Sequence, residues 1–345
     1  MCMTKVFISG CAGFIGFHLS KYYLEKGFKV VGLDNLSRNG SEVNLDYLQK
    51  FENFLFCKEN ITNYDGLKTI FNLHGSFDLV IHQAAQVAVT TSVVNPRLDF
   101  ETNILGTFNL LEATRNNSPK AVFQYASTNK VYGEMNSLKV HKKVDRYDYE
   151  SLKNGIDEEF PIDFHSPYGC SKGSADQYVR DYNRIYGLKT MVLRQSCIYG
   201  TNQFGLEEQG WIAWFIIGAI LEKKLSIYGD GYQARDVLWI DDLVQAYDKL
   251  YLNSEKTAGK IFNIGGGKDN VLSVNKLITY LKESKIIKLE PSKEDWRPGD
   301  QKIYISNISK IEKLTNWKPL IDPKTGVDKL IKWCQNNNQL FKIYN

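Results

Sequence analysis

The chain has 345 residues, of which 43% are hydrophobic and 24% are charged. This length and composition allow a large buried core, which excludes a disordered protein and a disulfide-stapled miniprotein. Lysine and arginine (43) barely exceed aspartate and glutamate (39), leaving a net charge of +4. Such a small excess argues against a nucleic-acid partner and suits an anionic small-molecule substrate.

The six cysteines lie at positions 2, 11, 57, 170, 197 and 334, without a CxxC pair or a histidine at zinc spacing. We therefore expect neither a disulfide framework nor a metal site. Residues 1–5 lack the features of a signal peptide. The most apolar segment, 211–221, is about half the length of a membrane span and predicts a buried helix. We expect a cytoplasmic protein with no membrane partner.

Short apolar runs alternate with longer segments of helical spacing from the start of the chain. The predicted strands are 5–9, 29–33, 54–57, 79–82, 121–126, 190–193 and 261–264. A helix is predicted at 14–26, and Gly27 would end it in a left-handed conformation. Apolar strands separated by helices are typical of parallel pairing with both faces covered. The predicted fold is α/β, a doubly wound parallel sheet of the Rossmann type.

The alternation is interrupted in two places. Residues 134–166 form a long polar segment, which we interpret as a loop that acts as a lid or a substrate rim. After Arg194 the simple alternation stops. We predict a dinucleotide-binding domain made of residues 1–194 and 236–270. Residues 195–235 and 271–345 are predicted to form a smaller C-terminal lobe that binds the substrate over the edge of the sheet.

A glycine-rich turn, Gly10–Gly16, joins the first strand to the first helix. Glycines at positions 10, 13 and 16 permit a tight turn and a close approach of the backbone to a pyrophosphate, which the helix N-terminus attracts. Asp34 ends the second strand at about the spacing of a ribose-binding acid. This carboxylate favours NAD over NADP because it would repel a 2′-phosphate. Arg38 nearby keeps NADP as an alternative.

Small and polar residues follow the fourth strand. Ala84 and Ala85 are small enough for a cofactor to approach the backbone, although simple close packing explains them almost equally well. His82 precedes them, and we interpret it as a hydrogen-bonded core histidine and not as a ligand or a base.

A second set of residues indicates hydride transfer. Thr128 ends the fifth strand, and the i, i+4 spacing of Tyr168 and Lys172 puts their side chains on one helix face. These groups would meet at the carboxyl edge of the sheet, where such folds bind ligands. With an ordinary pKa of about 10 a tyrosine is a poor base near neutrality. We expect Lys172 and a cationic nicotinamide ring to lower that pKa, and Thr128 to hold the reacting oxygen.

Together, these motifs resemble the extended short-chain dehydrogenase/reductases that act on nucleotide sugars, and the resemblance covers essentially the whole chain. Longer strings resemble the branch of that family that epimerises CDP-paratose to CDP-tyvelose. These strings are residues 34–38, 86–92, 127–133, 163–173 and 209–211.

The resemblance implies an NAD-dependent epimerisation at C2 of a CDP-linked 3,6-dideoxyhexose. The reaction passes through a transient 2-keto sugar, and the bound NAD ends unchanged. Such sugars are built for the O-antigen of bacterial lipopolysaccharide. We also expect a homodimer or a homotetramer, with helices packed between subunits.

The resemblance also implies roles for individual residues. The catalytic positions are Thr128, Tyr168 and Lys172. The cofactor-binding positions are Gly10, Gly13, Phe14, Ile15, Gly16, Asp34, Asn35, Arg38, Asn60, Ile61, Ala84, Ala85, Asn103, Tyr168 and Lys172. The substrate-binding positions are Gln86, Thr128, Gln209, Trp211, Arg235 and Arg297, with the two arginines on the diphosphate. Asn60 stands where the family often has aspartate, and Gln195 stands where histidine is expected.

Three alternatives remain open. A UDP-sugar 4-epimerase would share the fold, the cofactor and the Tyr–Lys pair. A 4,6-dehydratase would need an Asp-Glu pair directly after Thr128, where this chain has Asn129 and Lys130. A non-catalytic dinucleotide sensor on the same fold typically lacks the tyrosine or the lysine, and both are present here.

Overall fold

The computed structural model describes residues 3–288, 290–297 and 300–344. Within these ranges the strands are β1 (Lys5–Ser9), β2 (Lys29–Asp34), β3 (Phe54–Lys58), β4 (Leu79–His82), β5 (Val122–Thr128), β6 (Val140–Lys142), β7 (Tyr147–Tyr149), β8 (Lys189–Gln195), β9 (Cys197–Tyr199), β10 (Ser226–Tyr228), β11 (Ala234–Trp239), β12 (Ile261–Ile264), β13 (Val271–Ser273), β14 (Ser292–Glu294) and β15 (Ile303–Tyr304).

The α-helices are α1 (Phe14–Glu25), α2 (Ser41–Leu48), α3 (Tyr64–His74), α4 (Val89–Val94), α5 (Pro96–Phe100), α6 (Gly106–Asn117), α7 (Ser166–Tyr186), α8 (Trp211–Ile220), α9 (Ile240–Leu252), α10 (Ser254–Thr257), α11 (Val274–Glu283), α12 (Ser309–Thr315) and α13 (Pro323–Asn336). A π-helical turn (Glu101–Leu105) joins α5 to α6, and 3-10 turns span Asn129–Tyr132 and Asn338–Tyr344.

The main sheet has seven strands in the order β12-β8-β5-β4-β1-β2-β3. All of its strand pairs are parallel. The order reverses on the two sides of β1, and the crevice outside the carboxyl ends of the strands at such a reversal is where doubly wound sheets bind ligands. The predicted α/β fold is confirmed.

The central strand β1 has core on both of its faces. Val6, Phe7 and Ile8 are all fully buried. Because side chains alternate along a strand, Val6 and Ile8 pack into one apolar cluster and Phe7 into another on the opposite face. Helices cover both clusters, which explains why the strands read as continuous apolar runs in the sequence.

The predicted bounds hold best for the buried strands. β4 and β12 match their predictions, and Gly27 has the predicted positive φ, of 78°. The segment 134–166 differs from its prediction, because it contains the antiparallel hairpin β6–β7 and is not a simple loop. Three-residue strands are too short to leave an alternating pattern in the sequence. A hydrogen bond from the backbone N–H of Tyr147 to the carbonyl of Tyr232 (2.9 Å) ties this hairpin to the rest of the structure.

Smaller sheets are formed by the chain that follows β8. β11 pairs with β9, β13 and β15, and β10 pairs with β14. The predicted domain boundary at 235/236 falls inside β11, and the division into two lobes stays a prediction.

α8 is the predicted buried helix, since Ile212, Ala213, Ile216 and Ile217 are almost fully buried. In the described part of the chain, no helix combines the length and the hydrophobicity needed to cross a bilayer.

Candidate active site

The glycine turn lies directly after β1 and closes against the chain that follows β4. Gly10 has a φ of +71°, and a Cβ at this position would lie 2.7 Å from the backbone nitrogen of Ala84. A Cβ on Gly16 would overlap the carbonyl oxygen of Gly10. Side chains larger than hydrogen are therefore excluded at both positions.

The first turn of α1 is open to an anion. Gly13 is its N-cap residue, and neither a capping side chain nor an acidic residue occupies the first turn. The first N–H groups of the helix thus keep their hydrogen-bonding capacity, and the helix dipole adds partial positive charge. Together with the glycine turn, this cradle fits the pyrophosphate of a dinucleotide.

Asp34 lies beside this turn at the end of β2. Its carboxylate accepts hydrogen bonds from the backbone N–H groups of Ala12 (3.0 Å) and Leu36 (2.8 Å). Burial raises the pKa of Asp34, and the backbone N–H groups that it accepts from oppose that rise. The remaining lone pairs of a carboxylate so held can accept from ribose hydroxyls. Arg38, exposed nearby, donates a hydrogen bond to Gln209 and not to Asp34.

The other predicted cofactor positions are spread along the same edge. Phe14, Ile15, Ala84 and Ala85 are partly exposed, whereas Asn35 and Asn60 are exposed. Ile61 is buried, and its side chain packs where a Cβ on Gly106 would lie.

His82 is fully buried, and its two ring nitrogens are hydrogen-bonded to Ser9 Oγ (2.7 Å) and Thr107 Oγ1 (2.9 Å). Burial lowers the pKa of His82 to about 3, so its predicted role as a core histidine is confirmed.

Thr128 at the carboxyl end of β5 contacts Tyr168 on α7, and Lys172 lies one turn further along α7, over Tyr125 of β5. The hydroxyl of Thr128 is hydrogen-bonded to the phenol of Tyr168. Burial raises the pKa of Tyr168 to about 12, and the bond to Thr128 opposes that rise. The expected lowering by Lys172 is not found in the protein without a cofactor, because burial dominates the pKa of Tyr168 and the one interaction that lowers it is the bond to Thr128.

Lys172 is only 4% exposed. Its Nζ lies 4.3 Å from the centre of the Tyr125 ring. Burial lowers the pKa of Lys172 to about 7, while the charges of Asp99 and Asp176 oppose this shift. Asp176 forms its ion pair with Arg194 (2.9 Å).

The start of α7, which carries Tyr168, is anchored by its neighbours. Ser166 directly precedes Pro167 and has a φ of +64°, a conformation that costs energy in a residue other than glycine. The backbone N–H of Tyr168 donates to Ser92 Oγ on α4 (3.1 Å). These constraints set where the phenol points.

The side chains of two residues that were predicted to bind ligands make hydrogen bonds to other residues of the protein. The amide of Gln86 donates to Asp99 Oδ1 (2.8 Å) and accepts from the backbone N–H of Ala88 (2.7 Å). Asn103, on the π-helical turn, donates to Ser171 Oγ (3.0 Å) and accepts from the backbone N–H of Gln86 (2.9 Å). The structure thus places both side chains in an internal network next to the catalytic turn of α7.

Four predicted substrate residues line one cavity of about 270 Å³, namely Gln209, Trp211, Arg235 and Arg297. Arg235 pairs with Asp300 (2.9 Å), and Arg297 lies over the ring of Tyr228 (3.7 Å). Arg297 also donates to the carbonyl of Glu207 (3.0 Å). Two guanidinium groups in one cavity suit the oxygens of a diphosphate.

The cavity adjoins the catalytic residues. Its wall includes Lys130, whose backbone N–H donates to Thr128 Oγ1 (3.2 Å), and Thr90, two residues before the Ser92 that accepts from Tyr168. Lys130 was not predicted as a site residue, although the same rule about strand ends that identified Thr128 could have identified it. Glu207, Tyr228 and Asp300 were not predicted either: Asp300 closely follows Arg297 in the sequence, whereas Glu207 and Tyr228 reach the cavity only through the tertiary structure.

Gln195 lies outside this cavity. It is buried, and its amide donates to the phenol of Tyr247 (2.7 Å). Its departure from the expected histidine therefore leaves the cavity wall unchanged. Among the described residues, no group of three or more His, Cys, Asp or Glu side chains could hold a metal ion.

The chain is similar to proteins that act on nucleotide sugars. The family model described as GDP-mannose 4,6-dehydratase matches residues 7–330. A CDP-paratose 2-epimerase of Salmonella typhi is 40% identical over 337 residues, which are 96% of this chain and 99% of the relative.

Solved structures agree with this similarity. The UDP-glucose 4-epimerase of Thermotoga maritima with UDP-glucose has a TM-score of 0.82 and 31% identity, covering 97% of this chain and 100% of that chain. The UDP-glucuronic acid 4-epimerase of Bacillus cereus, in complex with UDP-glucuronic acid and NAD, has a TM-score of 0.81 and 26% identity, covering 96% and 99%. The chain therefore belongs to the GDP-mannose 4,6-dehydratase family, within the extended short-chain dehydrogenase/reductases that its motifs resemble.

Proposed function

We propose that this protein is an NAD-dependent nucleotide-sugar epimerase that inverts C2 of CDP-paratose to give CDP-tyvelose. The observation that carries the proposal is the contact of Thr128 with Tyr168, one helical turn from Lys172, beside an arginine-lined cavity whose wall residue Lys130 donates to Thr128. The chain is also 40% identical to a CDP-paratose 2-epimerase along almost its full length. The isomerase activity rests on the epimerases among the relatives, and the choice of sugar and base rests on this one.

Each catalytic residue has one task in this reaction. Tyr168 takes the proton of the C2 hydroxyl, and Thr128 holds the same sugar oxygen by a hydrogen bond. The glycine turn and Asp34 would hold NAD, which would supply the hydride acceptor and donor for C2 and, in its oxidised form, a positive charge. Tyr168 then returns the proton to the oxygen, so that atoms and electrons balance over the cycle.

The phenol has to lose its proton near neutral pH, although burial raises the pKa of Tyr168 to about 12 in the protein alone. An added positive charge within a few ångströms lowers such a pKa by about 1–3 units. Lys172, four residues along the same helix, supplies one such charge when it is protonated. The oxidised nicotinamide of a bound NAD would add a second positive charge, so we expect Tyr168 to be a better base in the loaded enzyme than in the free one.

The cavity accounts for the inversion. Arg235 and Arg297 come from distant parts of the chain and line the same cavity. They hold the diphosphate while the 2-keto sugar turns and presents its other face to the returning hydride. Most of the cavity wall comes from residues 207–235 and 274–300, which supports the proposed substrate lobe of residues 195–235 and 271–345.

A UDP-sugar 4-epimerase is the second candidate. It is favoured by the 31% identity to a UDP-glucose 4-epimerase solved with UDP-glucose. The same Thr128, Tyr168 and Lys172 could serve C4, because only the orientation of the sugar differs between the two reactions.

Product analysis by NMR tests the proposal. The purified protein is incubated without added NAD with CDP-paratose, UDP-glucose and UDP-glucuronic acid in separate samples. We expect inversion at C2 of the CDP-sugar alone. Inversion at C4 of a UDP-sugar would transfer the assignment to the second candidate. No turnover of any of the three sugars, by protein whose NAD content has been verified, would reject the epimerase assignment made here.

The proposed assembly is a homodimer formed through the helices α4–α7. Large apolar side chains are exposed on these helices and the π-helical turn, namely Val93, Val94, Leu98, Phe100, Leu105, Phe108, Tyr178, Ile185 and Tyr186. The rings of Phe108 on α6 and Tyr178 on α7 lie 6.2 Å apart and join the two helices into one surface. Exposed apolar patches of this kind mark association sites, and a second copy of the chain would bury this one.

The proposed setting is bacterial and cytoplasmic. CDP-tyvelose is an activated sugar, and the cytoplasm is where such sugars would be made for the O-antigen of lipopolysaccharide. Disruption of the gene, followed by sugar analysis of the lipopolysaccharide, tests this setting, because loss of tyvelose alone is expected.

A further inference from the structure

The helix α5 carries a buried carboxylate, Asp99, to which the proposed chemistry assigns no role. Its side chain is 0% exposed. Gln86 Nε2 (2.8 Å) and Asn103 Nδ2 (3.2 Å) donate to Oδ1, and Ser171 Oγ donates to Oδ2. Three segments of the chain thus converge on one carboxylate. A buried group satisfied in this way fixes the relative position of the elements that contact it.

Ser171 connects this carboxylate to the catalytic turn of α7. It lies between Tyr168 and Lys172 in the sequence, is 3% exposed, and also contacts the carbonyl oxygen of Tyr168 (3.2 Å). The hydrogen bond from Ser171 to Asp99 therefore holds the helical turn that carries both catalytic side chains against α5.

The donors to Asp99 are neutral, so its charge needs another partner. Burial raises the pKa of Asp99, and the hydrogen bonds from Ser171 and Gln86 and the charge of Lys172 lower it. In return, the charge of Asp99 raises the pKa of Lys172. Ser171, which donates to Asp99, directly precedes Lys172 on α7, so the two buried charges lie in one neighbourhood and stabilise each other's charged forms.

The other groups around this pair are accounted for. On α7, Asp176 pairs with Arg194 and also raises the pKa of Lys172, which Asp99→Asn leaves in place, and the negative charge of Asp99 raises the pKa of Tyr168. On β5, burial raises the pKa of Tyr125 well above its usual value, and Asp99 adds to that rise. His82 on β4, which also faces Lys172, is neutral at pH 7 because burial lowers its pKa to about 3.

We propose that Asp99 is a positioning residue that holds the catalytic turn of α7 through Ser171 and keeps Lys172 in its ammonium form as its buried counter-charge. The kinetic consequence of this inference rests on the proposed function. The coupling of the two charges does not, and it can be measured without any substrate.

The direct test is the titration of Lys172 by NMR in protein labelled with [13C]lysine. The ε-carbon signal of Lys172 is assigned by its loss in Lys172→Met. We expect Asp99→Asn, which keeps the size of the side chain and removes the charge, to lower the midpoint of this signal by about one pH unit. Asp99→Glu should restore the midpoint, and Ser171→Ala should leave it in place because Asp99 stays ionised. An unchanged midpoint in Asp99→Asn overturns the proposal.

The pH profile of the reaction distinguishes this role from a merely structural one. For a lysine midpoint near 7 that falls by about one unit, the active ammonium fraction drops about twofold at pH 6 and about ninefold at pH 8. The loss of kcat in Asp99→Asn should grow accordingly between these values. An equal loss at every pH would mean that Asp99 only supports the fold, which rejects the counter-charge.

Two further outcomes are decided by the same samples. If the wild-type protein converts no nucleotide sugar while the Lys172 midpoint still shifts in Asp99→Asn, the proposed function fails and the coupling stands. If Asp99→Asn does not fold, the titration of Asp99 is followed through the Lys172 ε-carbon signal of the wild-type protein, which should shift when Asp99 is protonated at acidic pH. Because Ser171 stabilises the ionised form of Asp99, we expect the midpoint of this acidic shift to move to higher pH in Ser171→Ala. A signal without that response also overturns the proposal.

Discussion

The carboxylate of Asp34 accepts a hydrogen bond from the backbone N–H of Ala12, with 3.0 Å between Oδ2 and the nitrogen. The residue that the sequence assigns to the ribose thus also holds the glycine turn assigned to the pyrophosphate. One side chain thereby couples the two halves of the dinucleotide site, because any change in its charge affects both the turn and the ribose contact.

Replacement of Asp34 by asparagine should weaken NAD binding by about tenfold or more. A hydrogen bond to a charged group contributes about 1.5–3 kcal/mol, and the amide loses this charge. Removal of the negative charge should also reduce the preference for NAD over NADP. Calorimetry on protein stripped of nucleotide measures both, with Asp46→Asn on the exposed face of α2 as the control. Equal affinities in Asp34→Asn and the control would contradict the assignment.

Tyr168→Phe should lower turnover by about 10²- to 10⁴-fold, the range for loss of a general base, while NAD remains bound. The phenol makes its hydrogen bond to Thr128 at the end of β5, so the variant also loses that contact. Tyr178→Phe is the matched control, since Tyr178 lies on the same helix and is 47% exposed. Turnover at the wild-type rate in Tyr168→Phe would exclude this tyrosine as the base.

Lys172 should make the free energy of unfolding depend on pH. Burial lowers its pKa from 10.5 to about 7. Between these two values the unfolded chain binds more protons than the folded chain, so the cost of burying Lys172 is fully present below pH 7 and is lost as the pH approaches 10.5. Lys172→Met removes this cost.

The stability advantage of Lys172→Met over the wild type should therefore be largest near pH 6 and shrink steadily towards pH 10. Urea unfolding of nucleotide-free protein at pH 6, 8 and 10 measures the difference. The exposed Lys68→Met on α3 serves as the control and should give no such trend. A difference that is constant across this range would mean that Lys172 titrates at its ordinary pKa.

Arg297→Gln should weaken the binding of CDP by about tenfold to a hundredfold, because a charge-assisted pair with a diphosphate is lost. The guanidinium also stacks on Tyr228 (3.7 Å), so Arg297→Lys should rescue only part of the affinity. Calorimetry with CDP measures the loss, and Arg184→Gln near the end of α7 provides the control. Unchanged affinity in Arg297→Gln would remove this arginine from the diphosphate site.

Phe108→Glu should convert the protein from dimer to monomer. Phe108 is 40% exposed on α6 and contacts Tyr178, so a carboxylate here would put a charge in the middle of the proposed interface. Sedimentation velocity measures the mass, and Leu73→Glu, at an exposed apolar position on α3, is the control. A wild-type protein that sediments as a monomer would contradict the proposed interface.

Much of the sheet could be predicted from the sequence, because its strands are buried on both faces and therefore read as uninterrupted apolar runs. The hairpin β6–β7 could not be predicted. Its strands of three residues depend on long-range contacts such as the hydrogen bond from Tyr147 Oη to Asp230 (2.7 Å). The role of Gln86 could not be predicted from the sequence either. Its motif indicates a contact with a ligand, but its amide donates a hydrogen bond to Asp99 within the protein.

The sequence by itself determined the parts of this protein that depend on local spacing. The glycines of the first turn, Asp34 at the end of its strand, and the i, i+4 pair Tyr168 and Lys172 all follow from periodicity and chain order. The tertiary structure alone decided which distant groups share a site. It brought Arg235 and Arg297 into one cavity, and it placed Asp99 against Ser171 of the catalytic turn. Burial and the sum of nearby charges determine pKa values, and both are properties of the packed chain, which no local pattern encodes.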